Sequence, residues 1–426
     1  MNKIIQPKQS LRGTIRVPGD KSISHRAVMF GALAEGTTEI TGFLDGEDCR
    51  STIACFRKLG IRVTQNGETV TVAGKGLRGF SAPTEVLDVG NSGTTMRLMS
   101  GILAAQPFDC EMTGDASICK RPMGRVITPL GQMGADIRGK VSENTAPLLV
   151  HGQPLRGITY DMPVASAQVK SAILLAGLYA EGETTVIEPY PSRDHTERML
   201  RLLGADVRSN GNTITIHPAD KLTAQPIQVP GDISSAAFFI VAALIVPDSH
   251  LVIEGVNVNE TRTGILDALL AMGADIRLLN PRVVCGEEVA DIEVRTSKLR
   301  GTAIGGAMIP RMIDEIPVFA IAALFAEGET VVKGAQELKV KESNRIRTMA
   351  DELGKLGAVI RETDDGMMIL GGQSLVGGVT ESHNDHRVAM SMAVAGLMAS
   401  GETEIVGADC AAVSFPNFFE LLTQIS

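Results

Sequence analysis

The stretch Val-Pro-Gly-Asp-Lys-Ser-Ile-Ser-His-Arg at 17–26 returns, altered, as Val-Pro-Gly-Asp-Ile-Ser-Ser-Ala-Ala-Phe at 229–238. Each copy runs into an apolar segment expected to be helical and then into a strand ending in Thr-Gly or Glu-Gly (41–42 and 254–255). A chain that repeats itself about half a length later must build two like bodies or one repeating array, and no other feature narrows the fold as much. Where the copies agree they specify backbone. Where they differ they are candidates for chemistry: Lys21, His25 and Arg26 stand where the second copy has Ile233, Ala237 and Phe238.

The repetition is finer than two halves. A helix end followed by a polar turn and a strand begins at Leu33, Leu103, Leu178, Leu244, Leu324 and Leu397, at intervals of roughly 65 to 80 residues, longer than most solenoid repeats. Between these lie five helix ends closed by Gly60, Gly134, Gly204, Gly273 and Gly357, each leading towards a strand. Glycine accepts the left-handed conformation that ends a helix without a Cβ clash. Each unit therefore reads β-α-β-α-β-β, and six units in two groups of three predict an α/β protein of two similar domains. A solenoid is the alternative, disfavoured by the long period and the divergent motifs.

A chain of 426 residues exceeds the usual size of one core. With 44% hydrophobic and 21% charged residues it has an ordinary globular composition, and no apolar run reaches the length of a membrane span. The first residues lack a signal peptide's apolar core. Six scattered cysteines without paired spacing suit free thiols in a reducing cytoplasm. A net charge of −9, three Tyr and no Trp argue against a nucleic-acid partner. Basic sites on such an acidic chain must be local clusters, as a small anionic ligand would need.

Lys and Arg do cluster in the segments that open predicted helices. Lys21 and Arg26 lie in the first, Arg97 follows Asn91-Ser92-Gly93-Thr94, and Lys120, Arg121 and Arg125 surround Pro122. Lys170 follows Ser166-Ala167-Gln168, Arg193 precedes His195 and Glu197, Lys341, Arg345 and Arg347 surround Glu342, and Arg387 follows Asp385-His386. Helix N-termini and guanidinium forks both favour phosphate and carboxylate groups. A solvated charged face is the alternative for any one segment, but not readily for seven. Gly19-Asp20-Lys21-Ser22 fails as a P-loop, because Ile15 and Asp20 occupy the positions that require Gly. Asp314 could be a helix N-cap. His383 and His386, with Asp385 between them, make a weak metal motif without a convincing third ligand. Met390, Val394 and Met398 read as a packed helix face.

Seven of these segments, in order, resemble the motifs of the EPSP synthase family, the 3-phosphoshikimate 1-carboxyvinyltransferases: 19–26, 90–97, 120–123, 166–170, 314–317, 341–345 and 385–387. The resemblance spans essentially the whole chain. It implies a two-domain inside-out α/β barrel, helices within and sheets outward, three units to each lobe. The first lobe is expected from residues 1–20 and 229–426, the second from 21–228, with the active site in the cleft between them. The implied reaction moves the enolpyruvyl group of phosphoenolpyruvate to the 5-hydroxyl of shikimate 3-phosphate and releases phosphate, in the chorismate route to aromatic amino acids. The resemblance assigns Lys21, Ser22, Arg26, Ser166, Gln168, Arg193, Asp314 and Lys341 to shikimate 3-phosphate. It assigns Lys21, Asn91, Gly93, Arg121, Gln168, Arg345 and Arg387 to phosphoenolpyruvate. Asp314 is the expected base for the 5-hydroxyl, and Glu342, helped by Lys21, the expected proton donor to the methylene carbon. No cofactor or metal is implied, and a cytoplasmic monomer is expected.

The 193–197, 19–22, 166–170 and 259–262 patterns resemble the family's class II branch, often glyphosate-tolerant, whereas Gly93 is the small residue typical of sensitive enzymes. The chain also departs from the family at Val413, where many members have Lys. Two rival functions are weighed: the sister transferase acting on UDP-N-acetylglucosamine, which would need a Cys where Ala116 stands, and a non-catalytic binder of phosphorylated metabolites, which would need neither Asp314 nor Glu342.

Overall fold

The computed structural model describes residues 1–425. The chain divides into two compact units. One is nearly continuous, Gly19–Val229 with the short stretch Val284–Glu287; the other is composite, formed by Met1–Pro18, Pro230–Val283 and residues from 288 onward.

The continuous unit contains α1 (Lys21–Leu33), α2 (Glu47–Lys58), α3 (Gly93–Leu103), α4 (Gly124–Gln132), α5 (Ala167–Gly177) and α6 (His195–Leu202). Beyond their first turns α1, α3 and α5 are buried almost all round, and α3 lies against α5. A helix apolar on every side can only be stable inside a core. Helices α2, α4 and α6 bury one face each. Three sheets complete the unit, each combining a parallel pair with an antiparallel hairpin. In one, Leu87 pairs parallel with Met112, Asp109 lies opposite His151, and Asp136–Gly139 runs antiparallel to Leu148–His151. Alternate residues such as Val70 and Val72 are fully buried while their neighbours face outward, as strand geometry dictates.

The composite unit contains α7 (Ile233–Ile245), α8 (Gly264–Ala271), α9 (Met308–Met312), α10 (Ile316–Leu324), α11 (Arg345–Lys355), α12 (His386–Gly396) and α13 (Phe418–Gln424). Every residue of α7 and α10 is buried. Phe239 of α7 packs its ring 5.7 Å from Phe415 and 5.5 Å from Phe418. The N-terminal segment completes two of the unit's three sheets: Arg12–Arg16 lies parallel to His250–Asn257, and Lys3–Ile5 antiparallel to Thr403–Val406. The strands that precede the two Val-Pro-Gly-Asp copies are thus exchanged. Arg12–Arg16, just before α1, pairs in the composite unit, whereas Ile227–Gln228, just before α7, pairs with Ala34–Thr41 in the continuous one. The architecture is the inside-out α/β fold, with helices inside and sheets outside in each unit.

The repeated glycines all do one job. Gly60, Gly134, Gly204, Gly273 and Gly357 have φ between 84° and 99°. In each case the following residue's N–H bonds back to the carbonyl five residues earlier, as in Ile61 to Phe56 at 3.1 Å and Ala205 to Leu200 at 2.9 Å. This is the Schellman closure, which satisfies carbonyls a helix end would otherwise leave open. At the opposite ends, Asp20, Ser92, Ser166, Asp232 and Asp385 cap α1, α3, α5, α7 and α12 with side-chain oxygens. No helix among the described residues is long and apolar enough to cross a membrane.

Candidate active site

In the composite unit the candidate residues gather around one carboxylate. Asp314 lies in the turn between α9 and α10 and is not a cap; the N-cap of α10 is Glu315, which makes no side-chain capping bond. One oxygen of Asp314 is 3.3 Å from Arg345 Nη1 and 3.9 Å from Lys341 Nζ, and the other is 3.8 Å from Arg387 Nη2. Arg387, in the first turn of α12, also donates from Nη1 to the Asp314 backbone carbonyl at 3.0 Å. Arg345 opens α11 and is almost fully buried. Its Nη2 donates to Glu342 at 2.6 Å and its Nε to Asp385 at 2.8 Å. Burial alone would lower the Arg345 pKa, but Asp385, Glu342 and Asp314 outweigh it and raise it above the ordinary arginine value. Burial pushes Asp385 the other way, and the Arg345 charge overcomes it to hold this carboxyl below its ordinary value. Asp385 also accepts from the Arg387 N–H at 3.0 Å and from Ser343 Oγ at 3.0 Å, so one carboxylate caps α12 and orients the neighbouring guanidinium.

In the continuous unit the candidates occupy the starts of α1, α3 and α5 and the segments leading into α4 and α6. Lys21 opens α1 and forms an ion pair with Asp48 of α2 at 3.0 Å. Ser166 caps α5, and Gln168, two residues on, donates to Thr94 Oγ1 at 3.0 Å and accepts from Arg97 Nη1 at 2.6 Å. Arg121 donates to the Asn91 side chain at 2.5 Å, and Asn91 donates in turn to Asp115 at 2.6 Å. A Cβ on Gly93 would lie 2.8 Å from Arg97 Nη1 and 3.5 Å from Arg121 Nη1. The bare glycine therefore leaves space beside two guanidinium groups at the N-terminus of α3, an arrangement suited to an anion. Arg26 sits deeper than its neighbours. It lies one turn beyond Ser22, is 2% exposed, and donates to Thr196 Oγ1 at 2.7 Å, to the Ser22 carbonyl at 3.0 Å and to Ser171 Oγ at 2.8 Å. Arg193 is half-buried just before α6, near enough to Arg26 for the two charges to affect each other.

Several residues in the sequence clusters point elsewhere. Lys170 turns into the core, where it pairs with Glu188 and Glu197. Arg347 lies exposed, 3.5 Å from Asp351. His383 bonds to Glu352 at 2.7 Å, and the described residues contain no cluster of His, Cys, Asp and Glu that could hold a metal. Sequence reasoning placed Arg97 in a basic cluster without assigning it a substrate, and missed Asp48 and Asp385 as candidate site residues. Asp385 had a local signal, its place directly before His386-Arg387. Asp48 had none, since only folding brings it to Lys21 across 27 residues.

Comparison with known proteins finds the same family over nearly the whole chain. Residues 5–422 match the family EPSP synthase (3-phosphoshikimate 1-carboxyvinyltransferase). The chain belongs to the EPSP synthase family. The 3-phosphoshikimate 1-carboxyvinyltransferase of Thermoanaerobacter sp. (strain X514) is 59% identical over 421 residues, 99% of each chain. That of Gloeobacter violaceus is 58% identical over 423 residues, 99% of this chain and 98% of the relative. The solved EPSP synthase of Acinetobacter baumannii superposes with a TM-score of 0.89 at 50% identity, covering all of this chain and 98% of the other. Val413 closes the short 3-10 helix Ala408–Val413, which packs against α12.

Proposed function

We propose that the protein transfers the enolpyruvyl group of phosphoenolpyruvate to the 5-hydroxyl of shikimate 3-phosphate, giving 5-enolpyruvylshikimate 3-phosphate and phosphate for aromatic amino acid biosynthesis. The observation that carries this reading is the Asp314 carboxylate, ringed by Lys341, Arg345 and Arg387, in a chain matched to the family from end to end. A carboxylate can take a hydroxyl proton, and the cations around it suit two anionic substrates.

Shikimate 3-phosphate is held by Lys21, Ser22, Arg26, Ser166, Gln168 and Arg193, with Lys341 and Asp314 at its reacting side. Phosphoenolpyruvate is held by Lys21, Asn91, Gly93, Arg121, Gln168, Arg345 and Arg387. Asp314 takes the proton of the 5-hydroxyl as its oxygen bonds to C2 of phosphoenolpyruvate. Glu342 delivers a proton to C3, giving a tetrahedral adduct that still carries the phosphate. Glu342, now a carboxylate, takes a proton back from C3 as the bond from C2 to the phosphate oxygen breaks, which restores the double bond and releases phosphate. Glu342 is paired with Arg345 at 2.6 Å before substrate arrives. An anion that claims this guanidinium weakens the pairing and raises the proton affinity of Glu342, the direction a proton donor needs.

The substrates are the two small anions, and a cytoplasmic monomer belongs to the same reading. The deciding experiment is phosphate release from purified protein. Release that needs both substrates is expected; release from phosphoenolpyruvate alone, or with UDP-N-acetylglucosamine in place of shikimate 3-phosphate, overturns the assignment.

A further inference from the structure

Beneath the segment that carries Arg193 lies a chain of buried charges that the reaction does not use. Lys170, on α5, is 1% exposed; its ammonium is 2.8 Å from Glu188 and 2.7 Å from Glu197, both as deeply buried. It also donates to the backbone carbonyl of Ser192 at 3.3 Å. Glu188 accepts from the Ser192 hydroxyl and, at 3.4 Å, from the Ser192 N–H. Glu197 stands in the first turn of α6 beside Thr196, which accepts from Arg26 at 2.7 Å and shares a hydrogen bond with Ser171 at 2.6 Å. His195, between Arg193 and Glu197, bonds to buried Glu287 at 2.7 Å. Residues 192–197 are therefore tied at almost every position, and the signs alternate from Glu188 through Lys170 and Glu197 to Arg26.

Stability alone does not explain this construction. Ion pairs this deep lose much of their attraction to desolvation, and apolar residues of the same volume commonly serve as well. What the charges accomplish is placement. Arg193 and Arg26 are close enough to repel each other, and two neighbouring guanidinium groups stay together only where a rigid frame holds their backbones. We propose that Lys170 is a positioning residue: acting through Glu188, Ser192 and Glu197, it fixes residues 192–197 so that Arg193 and Arg26 together receive the anionic groups of shikimate 3-phosphate. The inference rests on the assignment of those two arginines to that substrate.

The test is steady-state kinetics on Lys170→Met, Lys170→Arg, Ser192→Ala and Arg193→Ala, with thermal melts alongside. Lys170→Met should raise KM for shikimate 3-phosphate at least tenfold and leave KM for phosphoenolpyruvate within about twofold, and Lys170→Arg should recover part of the loss. If Lys170→Met does not fold, Ser192→Ala carries the test, with a several-fold rise in the same KM alone. Ser192→Ala should add little once Arg193 is already Ala, because the two act through one element. Equal rises in both KM values, or a full Ser192→Ala effect in the Arg193→Ala background, would mean a general structural role and overturn the inference. If Arg193→Ala itself leaves KM for shikimate 3-phosphate unchanged, the arginine assignment fails and the inference falls with it. If Arg193→Ala raises that KM while the other variants do not, only the inference fails.

Discussion

The role proposed for Asp314 rests on its surroundings rather than on its residue type. Its carboxylate lies within 4 Å of three cations, Lys341, Arg345 and Arg387. Asp314→Asn should keep the shape and remove the base. We expect kcat to fall by about 10²- to 10⁴-fold with little change in either KM, the range a lost general base usually produces; a loss confined to KM would assign Asp314 to binding alone. Gly93 makes a second residue-scale prediction. A methyl group there would meet Arg97 Nη1 at 2.8 Å, so this guanidinium must move. Gly93→Ala should raise KM for phosphoenolpyruvate about tenfold, roughly 1.4 kcal/mol, and spare shikimate 3-phosphate, which separate titration of the two substrates would check. Cys119, beside Lys120 and Arg121, is a tempting nucleophile, but its thiol lies against the Gly114 carbonyl at 3.5 Å and the proposed chemistry has no covalent enzyme step. Cys119→Ser should keep most of the activity in the phosphate-release assay.

At the scale of elements, helices α1, α2 and α3 meet through a small polar core. His25 of α1 bonds to Thr52 Oγ1 of α2 at 2.7 Å, and Thr52 bonds to Thr95 Oγ1 of α3 at 2.7 Å. Complete burial lowers the His25 pKa to about 3, with nearby Asp48 opposing the shift. The folded chain thus keeps His25 neutral, whereas the unfolded chain protonates it below its ordinary value of about 6.5. Below that pH the unfolded state binds more protons, so stability falls as pH drops from about 6.5 towards 3. From pH 7 to pH 5 this group alone should cost about 2 kcal/mol. Urea unfolding at those two pH values should show the loss, and His25→Asn should remove most of it. If the variant keeps the same pH dependence, another group is responsible. His25 differs between the two copies of the repeat, yet here it ties helices together and lies outside the proposed chemistry, so a repeat difference by itself did not identify a site residue.

For the molecule as a whole, the division of the chain matters most. The continuous unit holds most of the proposed shikimate 3-phosphate contacts, while Asp314 and Glu342 belong to the composite unit. A fragment spanning 19–229 should fold and bind shikimate 3-phosphate, measurable by calorimetry, without releasing any phosphate. It should also melt below the full chain, because buried His195 loses Glu287. Turnover by the fragment would place the base within it and overturn the assignment of Asp314. The composite unit offers no such continuous fragment, since two of its sheets need strands from the first 16 residues.

The sequence by itself determined the repeating α/β units, the helix ends and the family. These are set by short-range chemistry: a glycine that can turn left-handed, a Ser or Asp that caps, an apolar period that demands burial. Gly60 and Ser92 carry their meaning within five residues of chain. Only the tertiary structure decided which cations surround which carboxylates. Arg345 meets Asp385 across 40 residues, and Lys170 turns inward to Glu188 and Glu197 although its sequence neighbourhood resembles that of an exposed anion-binding lysine. Charge is legible in a sequence, but its partner is not, because electrostatic pairing depends on distances of a few ångströms that folding alone creates.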